Sequence, residues 1–195
     1  MIHKTVHNLK KLPRRVRTRL SHHLVSSAVL VKDLQITEGD VVLELGSPIG
    51  FFGVAAIKAV GKPGKVIIAG ANEDALERVD YLKRYGSFET TLLADVLLGR
   101  ALPHQSVDWI LLTNVLSSSL NPDHFCLSVT QYAKPGARVV LLDWQSRGGT
   151  GAGPLADRRV SQEQAIHLMQ SCGMVFERTL ATPGYQYALV FRIKK

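Results

Sequence analysis

Residues 41–50 read VVLELGSPIG, a mostly apolar run that carries one acidic residue and ends in a glycine-containing break. A short run with so little polar alternation is typical of a strand buried on both faces of a parallel sheet. After the break, apolar residues resume from Phe51 to Val60 and stop at Gly61, as expected for a helix and its end. The stretch therefore predicts a strand, a glycine loop and a helix, which is the repeating unit of a parallel α/β sheet.

The same alternation continues along the chain. Apolar or β-branched runs predict strands at 65–69, near 89–93, and at 109–113, 138–142, 174–180 and 186–193. Predicted helices begin at Asn72, at Asn121 and at the capping box Ser161-x-x-Gln164, and end at Gly86, Lys134-Pro135-Gly136 and Gly173. Because Pro183-Gly184 separates the last two strands, we expect them to pair antiparallel. The predicted fold is Rossmann-like α/β, with a mostly parallel seven-stranded sheet, helices on both faces and an antiparallel terminal strand pair.

The net charge of +8 is concentrated at the start of the chain. Residues 1–32 hold eight Lys or Arg and no Asp or Glu, whereas the remainder carries 16 of each sign. We therefore divide the chain into a basic arm, 1–32, and a domain, 33–195. The arm's charge suits RNA phosphate or an anionic membrane surface, although a solvated leader helix fits the same composition. A cytoplasmic location is expected, with a mitochondrial transit peptide as the alternative for an Arg-rich, acid-free beginning.

Several classes of protein are disfavoured by composition. No apolar run approaches the roughly 20 residues that span a bilayer, so no transmembrane segment is expected. Cys126 and Cys172 stand apart from each other and from any metal-ligand spacing, and both are read as reduced thiols. The seven histidines form no cluster with metal-binding spacing, so no metal is expected.

Ligands of open α/β sheets bind beyond the carboxyl ends of the strands. This rule directs attention to the glycine loop, to Gly70-Ala71-Asn72, to the residues that follow the third and fourth strands, and to Asp143 with Trp144. The acidic residue of the loop precedes its glycines, unlike the G-x-G-x-x-G fingerprint that cradles a pyrophosphate.

With Glu44, Gly46 and Gly50 in this order, the loop resembles the first motif of class I S-adenosylmethionine-dependent methyltransferases. The resemblance extends from about Leu24 to Arg192, and is closest to small enzymes related to ubiquinone and menaquinone biosynthesis. Later matches are Lys134-Pro135-Gly136 before the fifth strand and Leu142-Asp143-Trp144, followed by Gly153-Pro154 and Arg159-Val160-Ser161.

The resemblance implies a cofactor, S-adenosyl-L-methionine, and a role for individual residues. Gly46 and Gly50 would let the backbone approach the cofactor, and Glu44 would help to place the loop and the cofactor's ammonium group. The adenine and the remaining pocket would be contacted by Asp95 with Val96 and by Thr113 with Asn114.

Two positions depart from the family's pattern. Gly70 stands at the end of the second strand, where the family usually has a carboxylate that accepts both ribose hydroxyls; Asn72 or Glu73 is a partial substitute. The missing hydrogen bonds would weaken cofactor binding by roughly tenfold to a hundredfold. Pro48 replaces a common glycine, which fixes φ and removes a backbone donor.

The acceptor side of the cleft is expected at Asp143, Trp144 and Arg159, and no catalytic residue is assigned. Asp143 and Trp144 also suit a packed strand end, and Arg159 either anchors an anionic substrate or bonds loop carbonyls. Three functions follow from these residues: a methyltransferase acting on a small molecule, an RNA methyltransferase that uses the basic arm, or a non-catalytic binding or assembly protein with a weakened cofactor site.

Overall fold

The computed structural model describes residues 26–46, 50–146, 153–182 and 185–194. Pro48, the Pro183-Gly184 turn and arm residues 1–25 lie outside these ranges. The helices are α1 (Ser27–Leu34), α2 (Gly53–Val60), α3 (Glu73–Glu77), α4 (Leu93–Leu97), α5 (Pro122–Thr130) and α6 (Gln162–Ser171). The strands are β1 (Val41–Gly46), β2 (Lys65–Gly70), β3 (Glu89–Leu92), β4 (Val107–Thr113), β5 (Ala133–Trp144), β6 (Met174–Leu180) and β7 (Gln186–Ile193). Short 3-10 helices span Asp80–Arg84 and Ala156–Arg158.

The seven strands form one sheet in the order β3-β2-β1-β4-β5-β7-β6. Neighbours from β3 to β5 are parallel, whereas β7 lies antiparallel between β5 and β6. The predicted fold class is therefore confirmed, including the antiparallel terminal pair. Because β1 and β4 lie in the middle and their side chains alternate between two apolar layers, both faces of the sheet are buried.

Helix α1 belongs to the packed part of the chain. Leu30, Val31 and Leu34 are buried in the same apolar layer as α2, and the Gln35 N–H bonds the Lys32 carbonyl at the helix end. The proposed division after residue 32 falls inside this helix.

The predicted end of α5 at Lys134-Pro135-Gly136 is wrong. The helix ends at Thr130, and these three residues already belong to β5. The cause is tertiary hydrogen bonding, because the carbonyls of Gln131 and Tyr132 accept bonds from the N–H groups of residues 105–107 and draw the chain into the sheet.

The helix predicted from Asn72 to Gly86 is divided into α3 and a 3-10 helix. Asn72 caps it as predicted, accepting a bond from the Ala75 N–H at 2.9 Å. Beyond Glu77 the bonds connect residues three apart, which brings Val79 and Leu82 to the same side, where both approach Gly50.

Candidate functional site

The sequence-predicted residues gather along the carboxyl edge of the sheet. Gly46 of β1 is paired with Thr113 of β4, and Thr113 is paired with Leu142 of β5, so the ends of the three central strands are level. Because β7 is antiparallel, its first residues also lie at this edge, with Tyr187 opposite Asp143.

Glu44 is 1% exposed and lies at this edge within β1. Its Oε1 accepts a hydrogen bond from the Phe52 N–H at 3.0 Å, which satisfies a donor at the start of α2. Its Oε2 is buried and has no hydrogen-bond partner among the described residues. Burial raises the pKa of this carboxyl from 4.5 to about 7, and the bonds from the backbone of Phe52 and Phe51 only partly offset that rise.

The two glycines of the loop are required by contacts within the protein. Gly46 has φ +120°, and a Cβ there would overlap the Thr113 carbonyl. Gly50 has φ +72°, and a Cβ there would lie 2.8 Å from Cγ1 of Val79. Neighbouring elements therefore approach both ends of the loop too closely for any side chain, whatever ligand the loop holds.

The end of β2 presents backbone rather than a carboxylate. Gly70 is buried beside Leu92 of β3, and Ala71 and Asn72 are exposed. The Asn72 side-chain oxygen accepts the N-cap bond of α3, which holds the side chain toward that helix. Glu73 and Asp74, in the first turn of α3, are carboxylates close in sequence.

Asp95 and Val96 lie on α4, directly after β3. The Asp95 carboxylate is half-exposed and pairs with Arg100 at 3.1 Å. The Val96 side chain is fully buried in the core, and its carbonyl accepts a hydrogen bond from the Tyr132 hydroxyl at 2.8 Å. Asp95 therefore presents its side chain at the surface, whereas Val96 anchors α4 to the core through its buried side chain and its bond to Tyr132.

Thr113 and Asn114 end β4 in a buried turn. Oγ1 of Thr113 has no hydrogen-bond partner among the described residues. Asn114 has φ +54°, which its short polar side chain tolerates, and its N–H donates to the Leu142 carbonyl at 2.7 Å. Its Oδ1 also accepts a bond from the Gln186 amide at 3.4 Å, which ties the turn to β7.

Asp143 holds the loop that follows β4. The Asp143 side chain is fully buried. Its Oδ2 accepts hydrogen bonds from the backbone N–H groups of Leu116 at 2.9 Å and Ser117 at 3.4 Å. Its Oδ1 accepts a hydrogen bond from the backbone N–H of Trp144 at 2.8 Å. Burial raises its pKa, and these donors oppose the rise. With both oxygens engaged by the backbone, Asp143 organises the turn that follows β4.

Trp144 and Arg159 form a closed stack over the end of β5. The guanidinium of Arg159 lies 5.8 Å from the Trp144 ring centroid, and its N–H groups donate to the carbonyls of Pro154 and Gln145. Gly153 packs so tightly on the indole that a Cβ would lie 2.6 Å from it. Of the two roles predicted for Arg159, these contacts show the bonding of loop carbonyls.

Sequence reasoning missed Tyr187 and Gln186. Tyr187 is 1% exposed, and its hydroxyl has no hydrogen-bond partner among the described residues. Burial and the nearby charge of Asp143 raise its pKa. Its signal in the sequence is its position near the start of a strand, but only the insertion of β7 beside β5 brings it to the site.

The described residues contain no group of three or more His, Cys, Asp and Glu side chains arranged to hold a metal ion. No helix in the same ranges has the length and apolar character that crossing a bilayer requires. Cys126 is buried, which raises its pKa to about 12, and Cys172 is half-buried; both are free thiols.

The sequence matches no family model and no curated protein sequence. The fold matches solved structures over nearly its whole length. A SAM-dependent methyltransferase from Aquifex aeolicus has a TM-score of 0.77 and 24% identity, and the match covers 96% of this chain and 97% of that one. A protein described as a type 11 methyltransferase from Sulfolobus solfataricus has a TM-score of 0.65 and 25% identity. That match covers 80% of this chain and 85% of that one.

A third match is the 1,6-didemethyltoxoflavin-N1-methyltransferase of Burkholderia thailandensis, solved with its substrate and S-adenosylhomocysteine. Its TM-score is 0.65 at 14% identity, and the match covers 93% of this chain and 82% of that one. The chain thus has the fold of class I S-adenosylmethionine-dependent methyltransferases, which confirms the predicted resemblance; the ubiquinone-related subgroup stays a prediction.

Proposed function

We propose that this protein is an S-adenosylmethionine-dependent methyltransferase acting on a small-molecule acceptor. The observation that carries the proposal is Glu44, a fully buried carboxyl beside a glycine loop, with one oxygen that has no partner among the described residues. An unpaired buried carboxylate is costly, and a ligand cation would offset that cost. The cofactor has such a cation in its ammonium group.

The residues present fit this cofactor at one end of the site and less well at the other. Glu44 and the backbone around Gly46 and Gly50 would hold the methionine end, and Asp95 with Val96 would contact the adenine. Gly70 supplies no ribose acceptor, so weakened affinity is part of the proposal. When bound, S-adenosylmethionine supplies an electrophilic methyl group on a sulfonium centre.

The protein's contribution to methyl transfer is alignment and the exclusion of water. Asp143 fixes the turn between Asn114 and Ser117, and the Trp144–Arg159 stack closes the end of β5. Both Asp143 oxygens accept backbone bonds, which disfavours this residue as a general base. A methyl acceptor that needs no proton removed by the protein suits this arrangement.

The proposal is tested by calorimetric titration of the full chain with S-adenosylmethionine and S-adenosylhomocysteine. Gly70 has no positive φ, so the backbone admits an aspartate, and Gly70→Asp is expected to bind about tenfold to a hundredfold more tightly. Thr90→Asp is the matched control, because it adds one carboxylate at an exposed position of the neighbouring strand β3 that has no predicted cofactor role.

Micromolar binding by the natural chain supports the proposal and justifies a screen of acceptors. Binding by Gly70→Asp alone contradicts it and favours the non-catalytic binding or assembly protein.

RNA is the second candidate acceptor, and the observation that favours it is the charge of residues 1–25. They contain seven Lys or Arg and no acidic residue, and they precede α1, which packs beside α2. RNA affinity that falls steeply with salt and is lost without residues 1–20 would support this candidate.

A further inference from the structure

Two exposed tyrosines and two basic side chains form a continuous row on the outer side of α2. Lys58 of α2 lies 5.4 Å from the Tyr85 ring centroid, and the Arg84 guanidinium lies 5.9 Å from the same ring and 5.7 Å from that of Tyr81. We call Lys58, Tyr81, Arg84 and Tyr85 the cation–tyrosine row.

The row is accessible and carries uncompensated charge. Tyr81 and Tyr85 are 45% and 41% exposed, although aromatic rings usually bury most of their surface. Neither Lys58 nor Arg84 pairs with a carboxylate in the described ranges; the nearby Asp80 is taken up by Lys83 at 2.9 Å.

The backbone beneath the row is rigidly attached to the candidate cofactor loop. Leu82, between the two tyrosines in the sequence, is fully buried, and its Cδ1 would lie 3.3 Å from a Cβ on Gly50 and 2.6 Å from a Cβ on Gly53. Burial of the Tyr81 hydroxyl, and after it the charge of Glu44, raises the pKa of Tyr81. The row therefore starts beside the candidate site and continues along α2.

We propose that the cation–tyrosine row binds single-stranded nucleic acid, with bases stacked on Tyr81 and Tyr85 and phosphates held by Lys58 and Arg84. Aromatic faces alternating with cations are the combination that single-stranded nucleic acid requires, since every base has a face that can stack.

An anionic membrane is the competing partner for tyrosines and cations. Peripheral membrane binding also needs apolar side chains that insert below the headgroups. In the described ranges the exposed large aliphatic residues lie outside the row: Val29, Leu98, Leu120, Leu127 and Leu155. The chemistry of the row therefore favours nucleic acid.

The proposal concerns nucleic-acid binding and goes beyond the proposed small-molecule methyltransferase function, and its test does not depend on methyl transfer. Fluorescence anisotropy of the full chain, without cofactor, is measured with a single-stranded oligouridylate of about twelve nucleotides and with duplex RNA of similar length. The single strand is expected to bind at least tenfold more tightly than the duplex, because duplex bases are not free to stack.

Two variants separate stacking from charge. Tyr81→Leu with Tyr85→Leu is expected to weaken single-strand binding by about tenfold or more without changing the salt dependence. Lys58→Gln with Arg84→Gln is expected to reduce the slope of log K against log salt by about 1.4. The matched control, Arg158→Gln with Lys194→Gln, removes the same charge from exposed positions elsewhere and is expected to keep the parent's preference for single strands.

Thermal melting of each variant checks that the fold is retained. Equal binding by parent and tyrosine variant overturns the proposal, as does equal affinity for single strand and duplex. Binding to vesicles of phosphatidylcholine and phosphatidylglycerol in equal parts, without binding to RNA, assigns the row to a membrane and also overturns it.

Discussion

The backbone N–H of Phe52 donates a hydrogen bond to the buried carboxylate of Glu44, 3.0 Å away. This bond joins the end of β1 to the start of α2 across the glycine loop. It leaves the second carboxylate oxygen without a partner in the described ranges, so the loop is held by a group that is itself costly to keep charged.

Stability is expected to depend on the protonation of Glu44. Its folded pKa of about 7 exceeds its ordinary value of 4.5, so the folded state binds this proton more tightly than the unfolded state. Protonated Glu44 therefore contributes about 3 kcal/mol to the free energy of unfolding. This contribution is fully present below pH 4.5 and is lost as pH rises through about 7.

Urea unfolding of the parent and of Glu44→Gln across this range tests the assignment. Because Asp143 contributes with the same sign in both proteins, the difference between their unfolding free energies isolates Glu44. As pH rises, the free energy of unfolding of the parent is expected to fall relative to that of Glu44→Gln. A difference between the two proteins that does not change with pH would contradict the assignment.

Cofactor binding near neutral pH is expected to release a proton. An ammonium group beside Glu44 favours its carboxylate form, and about half of this carboxyl is protonated at pH 7. Titrations with S-adenosylmethionine in buffers of different ionisation enthalpy should show release of about half a proton. Glu44→Gln, which has no proton to lose, should show a heat that does not vary with buffer after correction.

Asp143→Asn is expected to destabilise the fold by about 1–3 kcal/mol, because one of two acceptor oxygens is replaced by an amide that faces backbone donors. Asp95→Asn is the matched control: its carboxylate is half-exposed, and loss of the Arg100 pair should cost at most about 1 kcal/mol. Both are measured by urea unfolding. An Asp143 variant of parental stability that binds the cofactor normally would refute the positioning role.

Gly46→Ala is expected to cost about 3 kcal/mol or more, since it combines a positive φ with overlap of the Thr113 carbonyl. Gly136→Ala provides the comparison, because Gly136 also has a positive φ, +82°, but nothing lies within 4 Å of its Cβ position. It should cost only about 1–2 kcal/mol. Similar melting temperatures for the two variants would show that the close approach to β4 is unimportant.

Arg159→Gln is expected to expose the Trp144 indole, because it removes the stacked guanidinium and the bonds to the carbonyls of Pro154 and Gln145. Acrylamide quenching is measured in a Trp109→Phe background, where Trp144 is the remaining tryptophan. Quenching should rise in Arg159→Gln and stay constant in Arg158→Gln. Equal quenching in both would mean that the stack does not shield the ring.

Local patterns were sufficient to predict most of the elements. Apolar runs bounded by glycine or proline placed β1, β2, β6 and β7 within one residue of their observed limits. These strands could be predicted because the apolar run and the turn residues at its ends are both local features of the sequence. The caps at Asn121 and Ser161 were also confirmed, because side-chain capping is a local interaction. The end of α5 was missed since partners 25 or more residues away determine it.

The site was predictable only where one segment supplies it. The loop from Glu44 to Gly50 could be identified from its own residues, but the reason for Gly46 lies in Thr113, which is distant in sequence. The roles of Asp143 and Arg159 depend on which backbone groups surround them. Tyr187 enters the site through strand order alone.

The position of β7 has a consequence for how the chain is completed. β6 precedes β7 in the chain, yet it pairs with β7 and not with β5, so the outer edge of β5 has no partner until β7 pairs with it. An unpaired edge of this length invites pairing with other chains. Residues 186–193 therefore have to insert between β5 and β6, and a chain in which they have not yet paired is expected to be prone to aggregation.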